Sequence, residues 1–337
     1  MKRKKISRNK FIQFLCAFLA LFLLVFVFVF GISSPVKKDA SFEIVKGASV
    51  TAIAKQLYSA GLIDSESTFK LAVRGNGGKI QTGLYDIPAG ASVWRIARMF
   101  AKGDIATVTV VVPEGLTVLQ IKRLLLENSS LTGGTECGRG TDLPVCDLHD
   151  GDLFPDTYRV AKGTSRLAFL DLMRKKMEDI KNNWKRAGRI APEPLKNWND
   201  VVTLASIVQK ETPKASEMPV VASVYLNRLR KKMRLQADPT VVYALTNKWG
   251  DMRGAPLLRG HLKIESPYNT YINYGLPPAP IANVGMDAIR SVLQPADTNY
   301  LFFVADGHGG HKFSRTYDEH LKNHADWREI KKIKNKN

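Results

Sequence analysis

One acidic residue stands where a proton-transfer reaction would need it. In Leu204-Ala205-Ser206-Ile207-Val208-Gln209-Lys210-Glu211-Thr212, the carboxyl of Glu211 continues an apolar stripe. Val201, Leu204, Val208 and Glu211 follow one another at helical spacing, which puts all four on one face of a helix. Pro213 disfavours helical geometry at Thr212, so the spacing predicts a helix that ends near Glu211. A carboxylate there is disfavoured by its apolar neighbours and by the negative end of the helix dipole. Both raise its pKa toward what a general acid needs near neutrality. The plainer alternative is a helix-end Glu that reaches solvent or an Arg.

Asp238 and Asp156 are the candidates for a second carboxylate, which a glycoside hydrolase would need ~5–9.5 Å from the first. Each has a plainer reading: Asp238 precedes Pro239 and suits a helix N-cap, and Asp156 suits a turn. His308 and His311 flank Gly309 and Gly310 and read as loop residues rather than ligands. No metalloprotease, phosphate-binding or dinucleotide-binding pattern occurs, so no metal and no cofactor is expected. Cys16 lies in an apolar run. Cys137 and Cys146 lie in a Gly-rich stretch and could close a small disulfide loop in an oxidising compartment. A zinc site there is not supported, because His149 alone completes no ligand set.

The elements that must position Glu211 are read as follows. Asn199 or Asp200 is expected to cap its helix, and a second helix is expected over about 219–232, carrying Val220, Val221, Val224 and Leu229. The stretch 236–240 reads as a turn opening a short helix. Residues 267–271 and 275–280 read as extended loop, and 300–304 as a strand leading through 306–313 into a hairpin. Residues 167–181 read as an amphipathic helix. Ahead of this lies a repeat of a Gly turn, a Ser or Thr cap and a short amphipathic helix, at 45–58, 88–100 and, more weakly, 113–125. The first two copies resemble LysM modules, which bind N-acetylglucosamine polymers; the alternative is a spacer.

The N-terminus sets an expected location. Residues 11–32 are uncharged and rich in Phe, Leu and Val, and six of the ten residues before them are Lys or Arg. The expectation is a single transmembrane helix over 11–32 with a cytoplasmic tail over 1–10 and the rest exported, rather than a cleaved signal peptide. The exported part is large enough for two domains. The fold expected is α+β: a linker at 33–41, a LysM-like domain at 42–130, a Gly- and Cys-containing loop at 131–150 and a catalytic domain at 151–337 bearing Glu211 on a helix. A formal charge of +19 suits an anionic partner such as wall polymer or lipid head groups. No basic run is interleaved with stacking aromatics, so nucleic acid is not an expected partner.

Several ordered, separated stretches, 153–158, 204–212, 235–240, 268–271, 275–278 and 303–313, together resemble the YceG/MltG family of endolytic murein transglycosylases. The resemblance implies a single-pass inner-membrane enzyme. Such an enzyme cuts the β-1,4 bond between N-acetylmuramic acid and N-acetylglucosamine without water, leaves 1,6-anhydro ends and terminates glycan elongation. Peptidoglycan strands and, through that role, peptidoglycan synthases of the penicillin-binding type are the implied partners. Where the family commonly has two acidic residues, this chain has Gln209 and Glu211, so Glu211 alone supplies the catalytic carboxylate. Asn269, Thr270 and Tyr271, with Gln236 and Asp238, are the implied substrate-binding residues. The Cys137–Cys146 segment departs from the family pattern. Two rivals remain at this stage: a muramidase using Asp238 or Asp156, and a non-enzymatic wall-binding protein.

Overall fold

The computed structural model describes residues 8–27, 36–138, 143–249 and 257–334. The fold is α+β, with antiparallel strand pairs among many helices. The first helix, α1 (Arg8–Val27), is 20 residues long. Its opening turn reads Arg-Asn-Lys, and the apolar remainder rises only about 25 Å at 1.5 Å per residue. That falls short of the ~30 Å hydrocarbon core. Among the described residues no helix is long and apolar enough to cross a membrane. The expected transmembrane helix over 11–32, and with it the single-pass inner-membrane location and the membrane as partner, is corrected accordingly. Residues 1–7 and 28–35 of those expectations lie outside the described residues.

The chain forms two compact units, one of residues 1–109 with 159–163, the other of 110–158 with 164–337. In the first, β1 (Ala40–Ile44), α2 (Val50–Ser59), α3 (Glu66–Gly75), β2 (Gly83–Ile87) and α4 (Val93–Lys102) follow in order. β1 and β2 pair antiparallel, with Phe42 opposite Tyr85. Phe100 on α4 gathers Phe42, Phe69 and Tyr85, its ring centroid 4.5 Å from that of Tyr85. The repeated caps are real: Ser49 and Ser92 accept the N–H groups of Ala52 and Arg95. The turn before each uses a left-handed glycine, Gly47 (φ 85°) and Gly90 (φ 75°), a conformation open to Gly at no steric cost. α3 and β2 carried weaker signals and were not foreseen.

The strands β3 (Thr107–Val111) and β4 (Thr157–Ala161) form a further pair. In the second unit, α5 (Val118–Glu127) repeats the Gly-cap device, with Gly115 at φ 78° and Thr117 in a reciprocal capping box with Gln120. A disulfide joins Cys137 to Cys146. After α6 (Arg166–Arg186) come α7 (Trp198–Glu211), α8 (Met218–Arg230), α9 (Asp238–Trp249), α10 (Met286–Leu293), the hairpin β5 (Phe302–Ala305)–β6 (His311–Ser314) and α11 (Tyr317–Lys334).

α7 is the centre of this unit. Every residue from Val201 to Val208 is buried, packed among apolar side chains of α8, α10 and the 281–284 segment. Each fully buried aliphatic side chain of this kind contributes on the order of 1.5–3 kcal/mol. Asn197, not Asn199 or Asp200, caps the helix, accepting the Asp200 N–H at 3.0 Å. The earlier position wins because Trp198 already belongs to the helix, its ring packed at a tilt 5.4 Å from that of Trp184. A helix this enclosed is a rigid mount for whatever its last residue carries.

Candidate active site

Glu211 is the last residue of α7. Thr212 turns to φ −139°, as the following proline demands. The Thr212 hydroxyl accepts the Lys214 N–H and lies near the Glu217 carboxylate, 3.5 Å away, so it braces the turn. Glu217 in turn holds His311 Nδ1 at 2.7 Å. His311 is thus a strand residue with a carboxylate partner, and the loop reading is corrected: the sequence pattern could not show Glu217 folding against it.

The carboxyl of Glu211 is enclosed. Its Oε1 accepts the Tyr225 hydroxyl at 2.6 Å, and Tyr225, on α8, is itself 1% exposed. Burial pushes the Glu211 pKa up to about 7. The Tyr225 bond opposes that rise, the negative field of Asp238 adds to it, and Arg228 partly offsets it. Arg228 donates to the Leu301 and Leu235 carbonyls at 2.6 and 2.7 Å and lies over the Phe302 ring. It is therefore a fixed cation rather than a mobile one.

Two cavities of about 330 Å³ each meet at Glu211 and Asp238. One is lined by Tyr225, Arg228, Gln236, Tyr271, Phe303, His320 and His324. The other reaches Gly115, Lys210, Pro239 and Tyr243. Both fall in the size range of ligand sites, and a carboxyl between them is open to a substrate extending both ways. A larger cavity of about 670 Å³, beside Arg174 and Trp184, contains neither carboxyl.

The sequence-predicted residues separate on this geometry. Glu211, Asp238, Gln236 and Tyr271 line one cavity. Asp238 opens α9, and its Oδ1 accepts the Tyr271 hydroxyl at 2.5 Å. Gln236 has φ 49°, and its N–H is tied to the Thr270 carbonyl. Asn269 and Thr270 stand behind the wall, 0% and 1% exposed. The Asn269 amide donates to the Leu262 and Ile264 carbonyls and accepts the Tyr271 N–H. Thr270 bonds Thr240 and the Ala237 N–H. Both side chains are thus engaged within the loop that carries Tyr271. Asp156 is ion-paired with Lys176 and lines neither cavity at Glu211.

The supports of α7 are equally specific. Ser206 Oγ accepts the Ile281 N–H at 3.0 Å, Gln209 Oε1 accepts the Gly285 N–H, and Lys210 reaches the Gly115 carbonyl. Asn283, fully buried, bonds Leu116 and accepts the Gly151 and Leu153 N–H groups. These bonds tie the 113–116, 151–154 and 281–285 loops around the helix.

Sequence reasoning missed Tyr225, Arg228, Phe303, His320 and His324. Tyr225 and Arg228 lie in a helix whose apolar residues read as core, and a basic residue in a last turn suits the dipole without further purpose. α11 carried no apolar stripe to signal packing. Its His320 stacks on Phe302 at 5.3 Å, and the buried Nδ1 has no hydrogen-bond partner among the described residues. Burial, His324 and Arg228 hold its pKa down.

Residues 42–326 match the family described as YceG-like. The chain is 31% identical over 329 residues to the endolytic murein transglycosylase of Bacillus subtilis strain 168, covering 88% of each. It is 27% identical over 330 residues to the protein of the same name from Streptococcus pneumoniae serotype 2, covering 88% of this chain and 59% of that longer relative. The crystal structure of a YceG-like protein from Listeria monocytogenes aligns with a TM-score of 0.51 at 28% identity, over 85% of this chain and 99% of that one.

Proposed function

Because the chain belongs to the YceG-like family, we propose that it is a peptidoglycan lytic transglycosylase with Glu211 as the single catalytic acid and base. The bond cut is the β-1,4 linkage between N-acetylmuramic acid and N-acetylglucosamine. The observation that carries this reading is an enclosed carboxyl with a pKa near 7, in contact with a buried tyrosine hydroxyl and set where two cavities meet.

Near neutral pH a large share of Glu211 is protonated. It gives that proton to the glycosidic oxygen as the bond breaks and positive charge develops on the muramyl ring. The carboxylate left behind keeps the Tyr225 hydroxyl as donor, which favours the charged state at the moment it forms. It then takes the proton of the muramyl C6 hydroxyl, whose oxygen attacks the anomeric carbon of its own ring. A 1,6-anhydro end results, no water is consumed and Glu211 is protonated again. Tyr271 and Gln236 are the proposed hydrogen-bonding partners of the sugars on one side. Cutting within growing strands would end their elongation and would place the enzyme's work beside that of peptidoglycan synthases. In the first unit, the cap-and-turn repeats support a LysM-like glycan-holding role.

Asp238 gives one rival a specific footing, since it lines both cavities with Glu211. A muramidase using Asp238 would cut the same bond with water. The deciding experiment digests purified peptidoglycan with the full chain and with Glu211→Gln, and reads the fragments by liquid chromatography–mass spectrometry. Anhydro ends from the unmodified protein alone are expected. Reducing ends, heavier by one water, would move the assignment to a hydrolase.

A further inference from the structure

The groove does not stop at the two cavities that meet at Glu211. A third cavity, of about 380 Å³, shares Thr117, Gln120, Tyr243 and Thr246 with the one that reaches Gly115. Its outer wall is built by Lys122 and Arg123 of α5, by Glu136, and by Leu148 and His149. Glu136 directly precedes one cysteine of the Cys137–Cys146 disulfide, and Leu148 and His149 follow closely after the other. We propose that the α5 face, together with Glu136, Leu148 and His149 flanking the Cys137–Cys146 disulfide, forms an additional glycan subsite, one or more sugars away from the bond that is cut; this rests on the proposed action on glycan strands.

Three features of this wall fit a sugar chain. The Tyr243 ring lies where the two cavities join, and its hydroxyl is fixed on Asp150 Oδ2 at 2.7 Å, which holds the apolar face in place for a pyranose to lie against. Arg123 is exposed and has no ion-pair partner among the described residues, which leaves its guanidinium for carboxylates of the muramyl lactyl and peptide arms. The wall is also anchored. Lys122 holds Glu136 at 3.0 Å, while Thr135 and Val145 are 6% and 5% exposed on either side of the cross-link. The disulfide keeps Glu136 on one side and Leu148 and His149 on the other close together, so that this edge meets the strand with less ordering cost at each encounter.

A subsite linked covalently, through the strand, to the sugars at Glu211 raises affinity only for substrates long enough to fill both. Dependence on strand length is therefore its signature. The test compares muramyl tetrasaccharides with longer oligosaccharides, on the full-length protein, its Cys137→Ser/Cys146→Ser variant and Arg123→Ala. Cleavage is followed by mass spectrometry. Binding of the same oligosaccharides is measured by calorimetry in a Glu211→Gln background, where turnover does not intervene.

The expected result is a lower KM and Kd for the longer substrate in the parent. The advantage should shrink by roughly tenfold in both variants, with kcat on the tetrasaccharide retained. Arg123→Ala keeps the cross-link, so it decides the matter even if the cysteine variant misfolds. An unaltered length preference in Arg123→Ala and the cysteine variant, or an equal loss on short and long substrates, would overturn the subsite. A parent protein that binds the longer oligosaccharide better yet cleaves neither length would overturn the proposed reaction while leaving the subsite standing.

Discussion

The Tyr225 hydroxyl donates to Glu211 Oε1 at 2.6 Å, from a ring that meets Phe303 edge-on at 5.8 Å. This contact restrains the proton affinity that burial confers on Glu211. Tyr225→Phe removes the donor and leaves the ring packing in place. The Glu211 pKa should rise beyond about 7, moving the alkaline limb of the kcat/KM profile upward by roughly one unit, equivalent to about 1.4 kcal/mol. The free carboxylate also becomes harder to form, so kcat should fall. Initial rates between pH 5 and 9 measure both, and an unmoved alkaline limb would mean that the hydroxyl does not tune the acid.

Asp238 acts on Glu211 through its charge. Asp238→Asn keeps an acceptor for the Tyr271 hydroxyl and removes the charge. Glu211 should then ionise more easily, and the alkaline limb should move down, opposite to the Tyr225→Phe shift. A transglycosylase would retain anhydro-ended products at a reduced rate. A hydrolase that uses Asp238 as nucleophile or base would lose activity by several orders of magnitude, because each essential carboxylate is worth at least ~10²-fold. Product analysis of this one variant separates the two reactions.

The same carboxyl links pH to stability. Its folded pKa lies near 7, above the 4.5 of an unperturbed Glu. Between those values the folded protein keeps a proton that the unfolded chain has released. The stability this gives is complete below about pH 4.5 and is lost as pH rises through about 7, on the order of 3 kcal/mol in all. Glu211→Gln cannot ionise and does not suffer the loss. Its Tm should exceed that of the parent at pH 8, and the gap should close as pH falls toward 4.5. Parallel scans at several pH values test this, and a pH-independent gap would show that Glu211 does not carry a raised pKa.

How far the site could be read before the structure follows from what kind of signal each part leaves. Glu211 was legible because helical periodicity and a following proline are local, and both its position at the end of α7 and its place against the apolar core follow from them. The hairpin at 302–314 was legible for the same reason, with a Gly-rich turn between two aromatic runs. Tyr225 was not, because its hydroxyl matters only through packing of α8 on α7, and nothing in its neighbourhood distinguishes it from core. His320 was invisible because α11 is largely polar with no clear apolar stripe, and its place at the cavity comes from contact with Phe302 of β5. The N-terminal run misled through composition: residues 11–32 are uncharged and mostly apolar, but among the described residues α1 covers only Arg8–Val27 and opens with Arg8 and Lys10, and no described helix is long and apolar enough to cross a membrane. Asn269 and Thr270 show a different limit: both are buried in bonds to their own loop, and a polar cluster next to a cleft reads alike in sequence whether it faces a ligand or that loop.

Asn269 makes that last distinction testable. Its amide bonds the Leu262 and Ile264 carbonyls at 3.0 and 2.9 Å and accepts the Tyr271 N–H at 2.9 Å, and none of the side chain is exposed. Asn269→Ala leaves those three backbone groups without a partner, at about 1–3 kcal/mol for each one that water cannot reach. In a unit of this size every kcal/mol lowers Tm by roughly 2–4 °C, so a fall of several degrees is expected. KM and kcat measured well below the melting range should change far less than for Tyr271→Phe, which alters a group on the cavity wall. If instead Asn269→Ala leaves Tm intact and raises KM, the amide touches substrate after all, and the loop reading of Asn269 fails.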